Sequence, residues 1–194
     1  SYDSGIEITP VPQADFNYPN SPYCLSGANP TVNLFAGSTS GTFSSTDPNI
    51  TVDPSTGEVD LSTTLPGTYT VTNTIAAANG CAAVSFDNTL TITSAPTAGF
   101  IYPSTPYCQD AGVATITLDA GALAGTFSSN PNVVINAGNG NVNLASSIAG
   151  TYWVYNTVDA SNGCPPVVDS TQIEITEPAN PNFDFADAFC SNEV

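Results

Sequence analysis

The segment that decides the fold reads Pro66-Gly67-Thr68-Tyr69-Thr70-Val71, and a near copy returns 83 residues later as Ala149-Gly150-Thr151-Tyr152-Trp153-Val154. Apolar and polar residues alternate in the first copy, which is the pattern of a strand with one buried face. Self-similarity at a fixed period is the mark of a repeat protein. The sequence therefore indicates a chain built of consecutive, similar repeats.

The repeat extends far beyond this segment. Residues 41–45 return at 125–129, residues 79–81 return at 162–164, and Phe16, Tyr18, Tyr23 and Cys24 return as Phe100, Tyr102, Tyr107 and Cys108. A third, slightly shorter copy begins at Phe183 and carries Cys190. We accordingly predict the last strand of a preceding repeat in residues 1–11, two whole repeats in 12–96 and 97–179, and the first strand of a following repeat in 180–194.

Composition excludes several kinds of function. The chain has no Lys, Arg or His and 17 Asp plus Glu, for a formal charge of -17. Without cations it cannot neutralise phosphates, so we expect no nucleic-acid partner. An anionic membrane surface would also repel it, and no apolar run is long enough for membrane insertion. With 41% apolar residues and only 9% charged ones, the chain should nevertheless fold.

The fold class predicted from the residues is all-β. Short runs rich in Thr, Val, Ile and Tyr lie between Gly, Pro and Asn clusters, with no helical period over ten residues. Strands in the first repeat are predicted at 15–19, 31–35, 41–45, 50–53, 58–61, 67–75 and 85–93. Seven short strands in about 84 residues indicate an antiparallel β-sandwich. Asp53-Pro54-Ser55-Thr56-Gly57 predicts a tight turn that joins two of them into a hairpin.

Each whole repeat has one early and one late cysteine. We predict disulfides between Cys24 and Cys81 and between Cys108 and Cys164, with a partner for Cys190 outside the chain. The alternative is a bond between Cys81 and Cys108. Disulfides indicate an oxidising, extracytoplasmic compartment. The absence of His and of any CxxC spacing argues against zinc.

The two GTY segments resemble the GxYxV strand start of immunoglobulin-like and polycystic-kidney-disease-type domains, in which the Tyr forms a corner. Together with the DPSTGEVDL, PYC, GTFSS and NGC motifs, the whole repeat resembles those of the giant cell-surface adhesins of gliding bacteria. The resemblance implies secreted, surface-displayed adhesion or filament proteins and fixes no ligand. Short Pro-bearing junctions between the repeats further predict that the sandwiches are arranged end to end.

Catalysis and metal binding find little support. Without His or Lys, and with oxidised thiols, only carboxylates, hydroxyls and Tyr remain for acid, base or nucleophilic chemistry, so we expect no enzyme. Asp53, Glu58 and Asp60 are weak candidates for calcium, because hard oxygen ligands cluster at a turn. The second repeat replaces all three carboxylates by asparagine: Asn136, Asn141 and Asn143. We therefore interpret them as turn caps and predict no cofactor.

One pair of residues departs from the repeat pattern. Thr70 and Thr72 of the first repeat are replaced by Trp153 and Tyr155 in the second, on the face of the strand that should meet solvent. Paired exposed aromatics suit sugar stacking or a protein contact. The alternative is that a loop or a neighbouring strand covers them.

The function predicted from these features is an extracellular stalk or adhesive filament segment at the cell surface. Its partners would be neighbouring repeats of the same chain. A second hypothesis is a binding module that holds a surface glycan or a protein through Trp153 and Tyr155. A third is lateral bundling of identical chains into a fibre.

Overall fold

The computed structural model describes residues 9–179, and its chain divides into two compact units. Within the described residues, one unit comprises residues 9–97 together with Val158–Val167, and the other comprises residues 98–157 and 168–179. The repeat boundaries given above stay predictions. The predicted terminal strands fall largely on residues 1–8 and 180–194, and these lie outside the described residues, as does Cys190.

The first repeat is built from short strands around one long hairpin. In chain order the strands are β1 (Phe16–Asn17), β2 (Tyr23–Cys24), β3 (Asn33–Leu34), β4 (Thr42–Ser44), β5 (Gly67–Ile75) and β6 (Val84–Thr93). One sheet has the order β2-β6-β5-β4, and β1 pairs with β3 in a second sheet. All of these pairs are antiparallel except β2 with β6.

The β5–β6 hairpin follows from the GTY segment. Its antiparallel register runs from Gly67 opposite Ile92 to Ile75 opposite Val84. Tyr69 and other alternate residues are buried, as the alternation predicts. The hydroxyl of Tyr69 donates to the carbonyl oxygen of Leu65 at 2.6 Å, which confirms the predicted tyrosine corner.

The predicted turn at residues 53–57 is also confirmed. The amide of Asp53 donates to the carbonyl of Glu58 at 2.8 Å, and Val52 pairs with Val59 in an isolated antiparallel bridge. Gly57 has a φ of 72°, in the region that favours glycine. Tyr18 donates from its hydroxyl to the Gly57 carbonyl at 2.6 Å, and burial raises the pKa of this phenol so that it keeps its proton.

Strand β2 was not predicted. It lies beside β6 in parallel, with Tyr23 opposite Ile92 and Cys24 opposite Thr93. Two residues between Pro-rich segments carry too little alternation to indicate a strand. The parallel addition of β2 determines the position of Cys24, and this has consequences for the disulfide.

The second repeat copies this plan. Its strands are β7 (Phe100–Ile101), β8 (Tyr107–Cys108), β9 (Val113–Ala114), β10 (Thr117–Leu118), β11 (Thr126–Ser129), β12 (Val142–Asn143), β13 (Gly150–Val158) and β14 (Val167–Thr176), with 3₁₀ turns at Gln109–Ala111 and Leu144–Ser146. The main sheet has the order β11-β13-β14-β8, and the smaller pairs are β7 with β10 and β9 with β12. The predicted class, an all-β sandwich, is confirmed.

Each repeat has its own aromatic core. The rings of Phe16 and Phe43 meet edge to face with centroids 5.3 Å apart, and those of Phe100 and Phe127 do the same at 5.3 Å. Such pairs contribute beyond the area they bury. The Phe residues that open the first two copies of the repeat are therefore core anchors.

A buried asparagine lies near the end of the first strand of each long hairpin. Asn73 is fully buried on the core face of β5, where its side-chain oxygen accepts from the amide of Gly41 at 2.7 Å. Its Nδ2 donates to the carbonyls of Ala14 and Thr39. Asn156 makes the equivalent three bonds in the second repeat, with partners Gly125, Ala98 and Leu123. These amides fasten loops to the sheet and satisfy backbone groups that would otherwise be buried unpaired.

Candidate functional site

The Asn-Gly-Cys motif forms a tight turn that presents its cysteine. Asn79 and Gly80 have φ values of 50° and 82°, and Asn162 and Gly163 have 49° and 77°. Positive φ at both central residues is characteristic of a type I′ turn, for which Asn-Gly is the preferred pair. Backbone hydrogen bonds between Ser161 and Cys164 close the second turn at 3.1 and 2.8 Å.

A disulfide joins Cys24 to Cys164, with their Cα atoms 4.7 Å apart and a sequence separation of 140. Both cysteines belong to the first compact unit, because that unit includes Val158–Val167 from the second repeat. The early cysteine of one repeat is thus bonded to the late cysteine of the next. Among the described cysteines, Cys81 and Cys108 are free thiols, and both are partly exposed.

The predicted disulfides are therefore wrong, and so is the alternative bond between Cys81 and Cys108. The reason is the length of β6. Cys24 lies opposite Thr93 at the end of this strand, whereas Cys81 precedes Val84 at its start. Ten strand residues span about 30 Å, and a disulfide requires Cα atoms within roughly 7 Å. Cys24 and Cys81 thus lie at opposite ends of the sheet.

Gly163 allows the turn to approach β2 closely. A Cβ atom on Gly163 would overlap the carbonyl oxygen of Pro22. The same atom on Gly80 would meet nothing within 4 Å among the described residues. The two turns share one conformation, but only the one at residues 161–164 is packed against a Pro-Tyr-Cys segment.

Thr93 completes the disulfide site. Its hydroxyl donates to the carbonyl of Asn162 at 2.7 Å and lies 3.2 Å from the carbonyl of Tyr23. The Sγ of Cys164 is 3.5 Å from the same hydroxyl. One side chain at the end of β6 therefore contacts both segments that the disulfide joins.

The three candidate calcium ligands are engaged in turns. Asp53 accepts from the amides of Thr56 and Ser55 at 2.8 Å, and these bonds, with that from Thr56 first, hold the pKa of its carboxyl below the ordinary value. Asp60 accepts from the hydroxyl and amide of Ser62, which likewise lower its pKa.

The remaining candidate, Glu58, accepts from Nδ2 of Asn29 at 2.8 Å. Within residues 9–179, no group of three or more acidic or cysteine side chains is arranged to hold a metal ion. The interpretation as turn caps describes these contacts well, and the absence of a cofactor stays a prediction.

Trp153 and Tyr155 are exposed to 50% and 42%. They line an open depression of about 460 Å³ together with polar residues, namely Ser128, Ser129, Asn130, Thr151 and Tyr152. Neither a loop nor a strand of the described residues covers them. Their role as a contact site stays a prediction.

Sequence reasoning missed the disulfide partner, although a signal for its geometry was present. The Asn-Gly dipeptide before Cys81 and before Cys164 predicts that each of these cysteines lies at the tip of a hairpin. In the first repeat, the tip of the β5–β6 hairpin is at the opposite end of the sheet from Cys24 on β2. Asn73 and Asn156 were also missed. Each is a polar residue at a strand position whose side chain faces the core, and a polar side chain in the core indicates a hydrogen-bonding role.

No protein-family model matches the chain, and no curated protein matches it. The solved structures that resemble the chain include three examples. They are Drosophila N-cadherin EC1-4 (13% identity, TM-score 0.41, 87% of this chain and 50% of that one), a SusE-like surface-located polysaccharide-binding protein from the Bacteroides thetaiotaomicron heparin utilisation locus (16%, 0.33, 87% and 35%) and mouse cadherin-23 EC22-24 (13%, 0.34, 71% and 53%). The chain spans about half or less of the length of these structures.

At these identities the likeness concerns the fold alone. The described residues include no helix long and apolar enough to cross a bilayer.

Proposed function

We propose that this chain is a segment of an extracellular, cell-surface stalk or adhesive filament, built from tandem immunoglobulin-like repeats. The observation that carries the proposal is the bond between Cys24 and Cys164. A bond between the two cysteines of one repeat would close a loop inside that repeat, whereas this bond fastens the hairpin tip of the next repeat into the first compact unit. Such a linkage gives a repeat protein covalent continuity beyond its main chain.

A stalk must resist extension, and the position of this disulfide meets that need. The residues between positions 24 and 164 are closed in one covalent loop, so tension on the two ends of the chain passes through the disulfide. Unfolding inside the loop cannot lengthen the chain until the bond is reduced. An oxidising extracellular space would keep the bond intact.

The available side-chain chemistry favours a role without catalysis. With no Lys, Arg or His, the titratable groups of the chain are carboxylates, Tyr hydroxyls and thiols. Asp53 and Asp60 are used as turn acceptors, and Tyr18 and Tyr69 donate to backbone carbonyls. These hydrogen bonds stabilise the turns and the core of the sandwich.

Pulling a single molecule by its two ends tests the proposal. Under oxidising conditions, the residues within the loop should contribute nothing to the extension. Reductant should then release about 480 Å of chain in one step, since roughly 140 residues extend by about 3.4 Å each. Cys24→Ser should extend fully without reductant. Two separate gains of about 190 Å each would indicate bonds within repeats, and the proposal would then fail.

A second function is supported by one observation, the exposure of Trp153 and Tyr155 beside an open depression. Aromatic faces flanked by hydroxyls and an amide suit stacking against a sugar ring and hydrogen bonding to its hydroxyl groups. We propose as the alternative that the second repeat binds a neutral surface glycan at this face. A net negative charge disfavours strongly anionic glycans.

Replacing both aromatics by threonine, as in the first repeat, tests the alternative. The variant Trp153→Thr with Tyr155→Thr should keep its fold, because both side chains are exposed, and should lose retention on a glycan array. The reciprocal change, Thr70→Trp with Thr72→Tyr, gives a matched chain with the aromatics on the other repeat. Equal glycan binding by the original chain and the threonine variant would remove this function.

A further inference from the structure

We propose that the free cysteines Cys81 and Cys108 are two half-sites of the same linkage that joins Cys24 to Cys164. Cys108 would bond to the late cysteine of a following copy of the repeat, and Cys81 to the early cysteine of a preceding copy. The inference deepens the stalk function and rests on it for its biological meaning. Its chemistry is argued from contacts that recur in the two repeats.

Cys81 already has the surroundings that Cys164 has in the formed bond. The hydroxyl of Thr9 lies 3.6 Å from the Sγ of Cys81 and 3.4 Å from the carbonyl of Asn79. Thr93 makes the same two contacts with Cys164 and Asn162, at 3.5 and 2.7 Å. Thr9 precedes Thr93 by 84 positions, one repeat length.

The Cys81 site also has the surface that a partner strand needs. Its Asn-Gly turn has the conformation of the turn at Asn162, and among residues 9–179 nothing packs against Gly80 where the Pro22 carbonyl packs against Gly163. What the site lacks is the Pro-Tyr-Cys segment that occupies this position beside Gly163. The partner of Cys81 is therefore a segment of that kind, placed beside Thr9.

Cys108 has the complementary half. It lies on β8, which pairs in parallel with β14 so that Tyr107 faces Ile175 and Cys108 faces Thr176. The hydroxyl of Thr176 lies 3.2 Å from the carbonyl of Tyr107, the same distance as between Thr93 and Tyr23. The geometry of β2 and β6 is thus reproduced, and what is missing is an Asn-Gly-Cys turn.

The threonines indicate that the partner is a continuous repeat and not a second copy of this chain. In the formed site a single residue, Thr93, contacts both the Tyr-Cys strand and the Asn-Gly-Cys turn. If Cys108 of one chain met Cys81 of another, Thr176 and Thr9 would compete for that one position. A following repeat in the same polypeptide brings no second threonine and avoids the overlap.

Bond formation requires an oxidant. Two thiols lose two protons and two electrons to form one disulfide, and a low-mass disulfide such as oxidised glutathione accepts these electrons and leaves as two thiols. Exchange proceeds through a mixed disulfide on one protein sulfur. Since Cys81 and Cys108 are partly exposed, such a reagent has access to both.

Insertion of a third repeat tests the inference. A second copy of residues 97–179 would be inserted between residues 179 and 180 of the full chain, with Val168→Ile in the copy as a mass mark at an exposed position. After oxidation with oxidised glutathione, cleavage before aspartate separates the cysteines, because Asp residues flank each of them. We expect the peptide of Cys108 to be linked to the marked peptide that holds the copied Cys164.

Two controls make the result decisive. With Cys164→Ser in the inserted copy, Cys108 should stay a free thiol that a thiol-reactive label modifies completely. The circular dichroism spectrum should not change. The mirror insertion, a copy of residues 12–96 placed after residue 11, should link the copied Cys24 to Cys81 and serves if the first insertion does not fold. A bond between the two cysteines of an inserted repeat, or a Cys108 thiol that stays free, would overturn the inference.

The insertion and the pulling experiment can fail separately. If Cys108 stays free in the inserted chain while reduction of the parent chain still releases about 480 Å, only the inference falls. If the parent chain shows no such release, the stalk function loses its support. Disulfide-linked dimers of the parent chain, with Cys81 bonded to Cys108 of another molecule, would instead favour a second copy as the partner and overturn the preference for a continuous repeat.

Discussion

Gly163 and Gly80 show how one residue type serves two purposes. Both adopt positive φ in a type I′ turn, which is strained for any residue with a Cβ atom. Only Gly163 also faces a backbone carbonyl, that of Pro22, at a distance that excludes a methyl group. The repeat therefore offers an internal control in which conformation and packing can be separated.

We predict that Gly163→Ala lowers the stability of the first compact unit more than Gly80→Ala does. Both variants should pay about 1 kcal/mol for an alanine at positive φ. Gly163→Ala must in addition displace the turn from Pro22, which should lower the stability by roughly 1 to 3 kcal/mol more, as overpacking does. Equilibrium denaturation under oxidising conditions measures both. Equal losses would show that the turn does not pack against β2.

At the scale of the element, the long hairpins and the turn at residues 53–57 could be predicted because their signals are local. Alternation places Tyr69 and Val71 on one face, and Pro54 with Gly57 marks the turn. Strand β2 could not, because its two residues gain their strand conformation only by pairing with a partner about seventy positions away. Such an addition leaves no periodic trace in the sequence.

In the candidate site, too, the feature with a local signal could be predicted and the feature that depends on distant residues could not. The exposed face of Trp153 and Tyr155 follows from strand parity and was anticipated. The bond between Cys24 and Cys164 depends on which end of β6 each cysteine reaches, and the spacing of cysteines alone contains no such information. Equal spacing of Cys24 with Cys81 and of Cys108 with Cys164 suggested bonds within repeats, although equal spacing arises from any repeated pattern.

Acid should weaken the hairpin of the first repeat through Asp53 and Asp60. Hydrogen bonds lower the pKa of both carboxyls in the folded chain, so their contribution is present above the unfolded value of about 3.8 and is lost as the pH falls through the folded values. Chemical denaturation between pH 5 and pH 2.5 should show this loss.

The double variant Asp53→Asn with Asp60→Asn is the matched control, since the second repeat carries Asn136 and Asn143 at these positions. Asn136 accepts from the amide of Gly138 at 2.9 Å, so asparagine can keep the turn. The variant should show a shallower fall in stability with acid. An unchanged slope would show that these carboxylates do not contribute to the acid sensitivity.

At the scale of the whole molecule, the disulfide joins residues of two different sequence repeats within one compact unit. Two sequence repeats do not correspond to two self-contained units, because the first unit includes Val158–Val167 and is closed by Cys164. A loop of this size contributes roughly 3 to 5 kcal/mol in the chain-entropy description. Stability and covalent continuity thus come from the same bond.

Disulfide mapping of the oxidised 194-residue chain tests the central claim most directly. Trypsin has no site, because the chain lacks Lys and Arg, but cleavage before aspartate places each of the five cysteines on its own peptide. The account predicts a peptide of residues 15–46 linked to one of residues 159–168, with Cys81 and Cys108 recovered as thiols. A link between residues 15–46 and residues 60–86 would instead join Cys24 to Cys81 and contradict it.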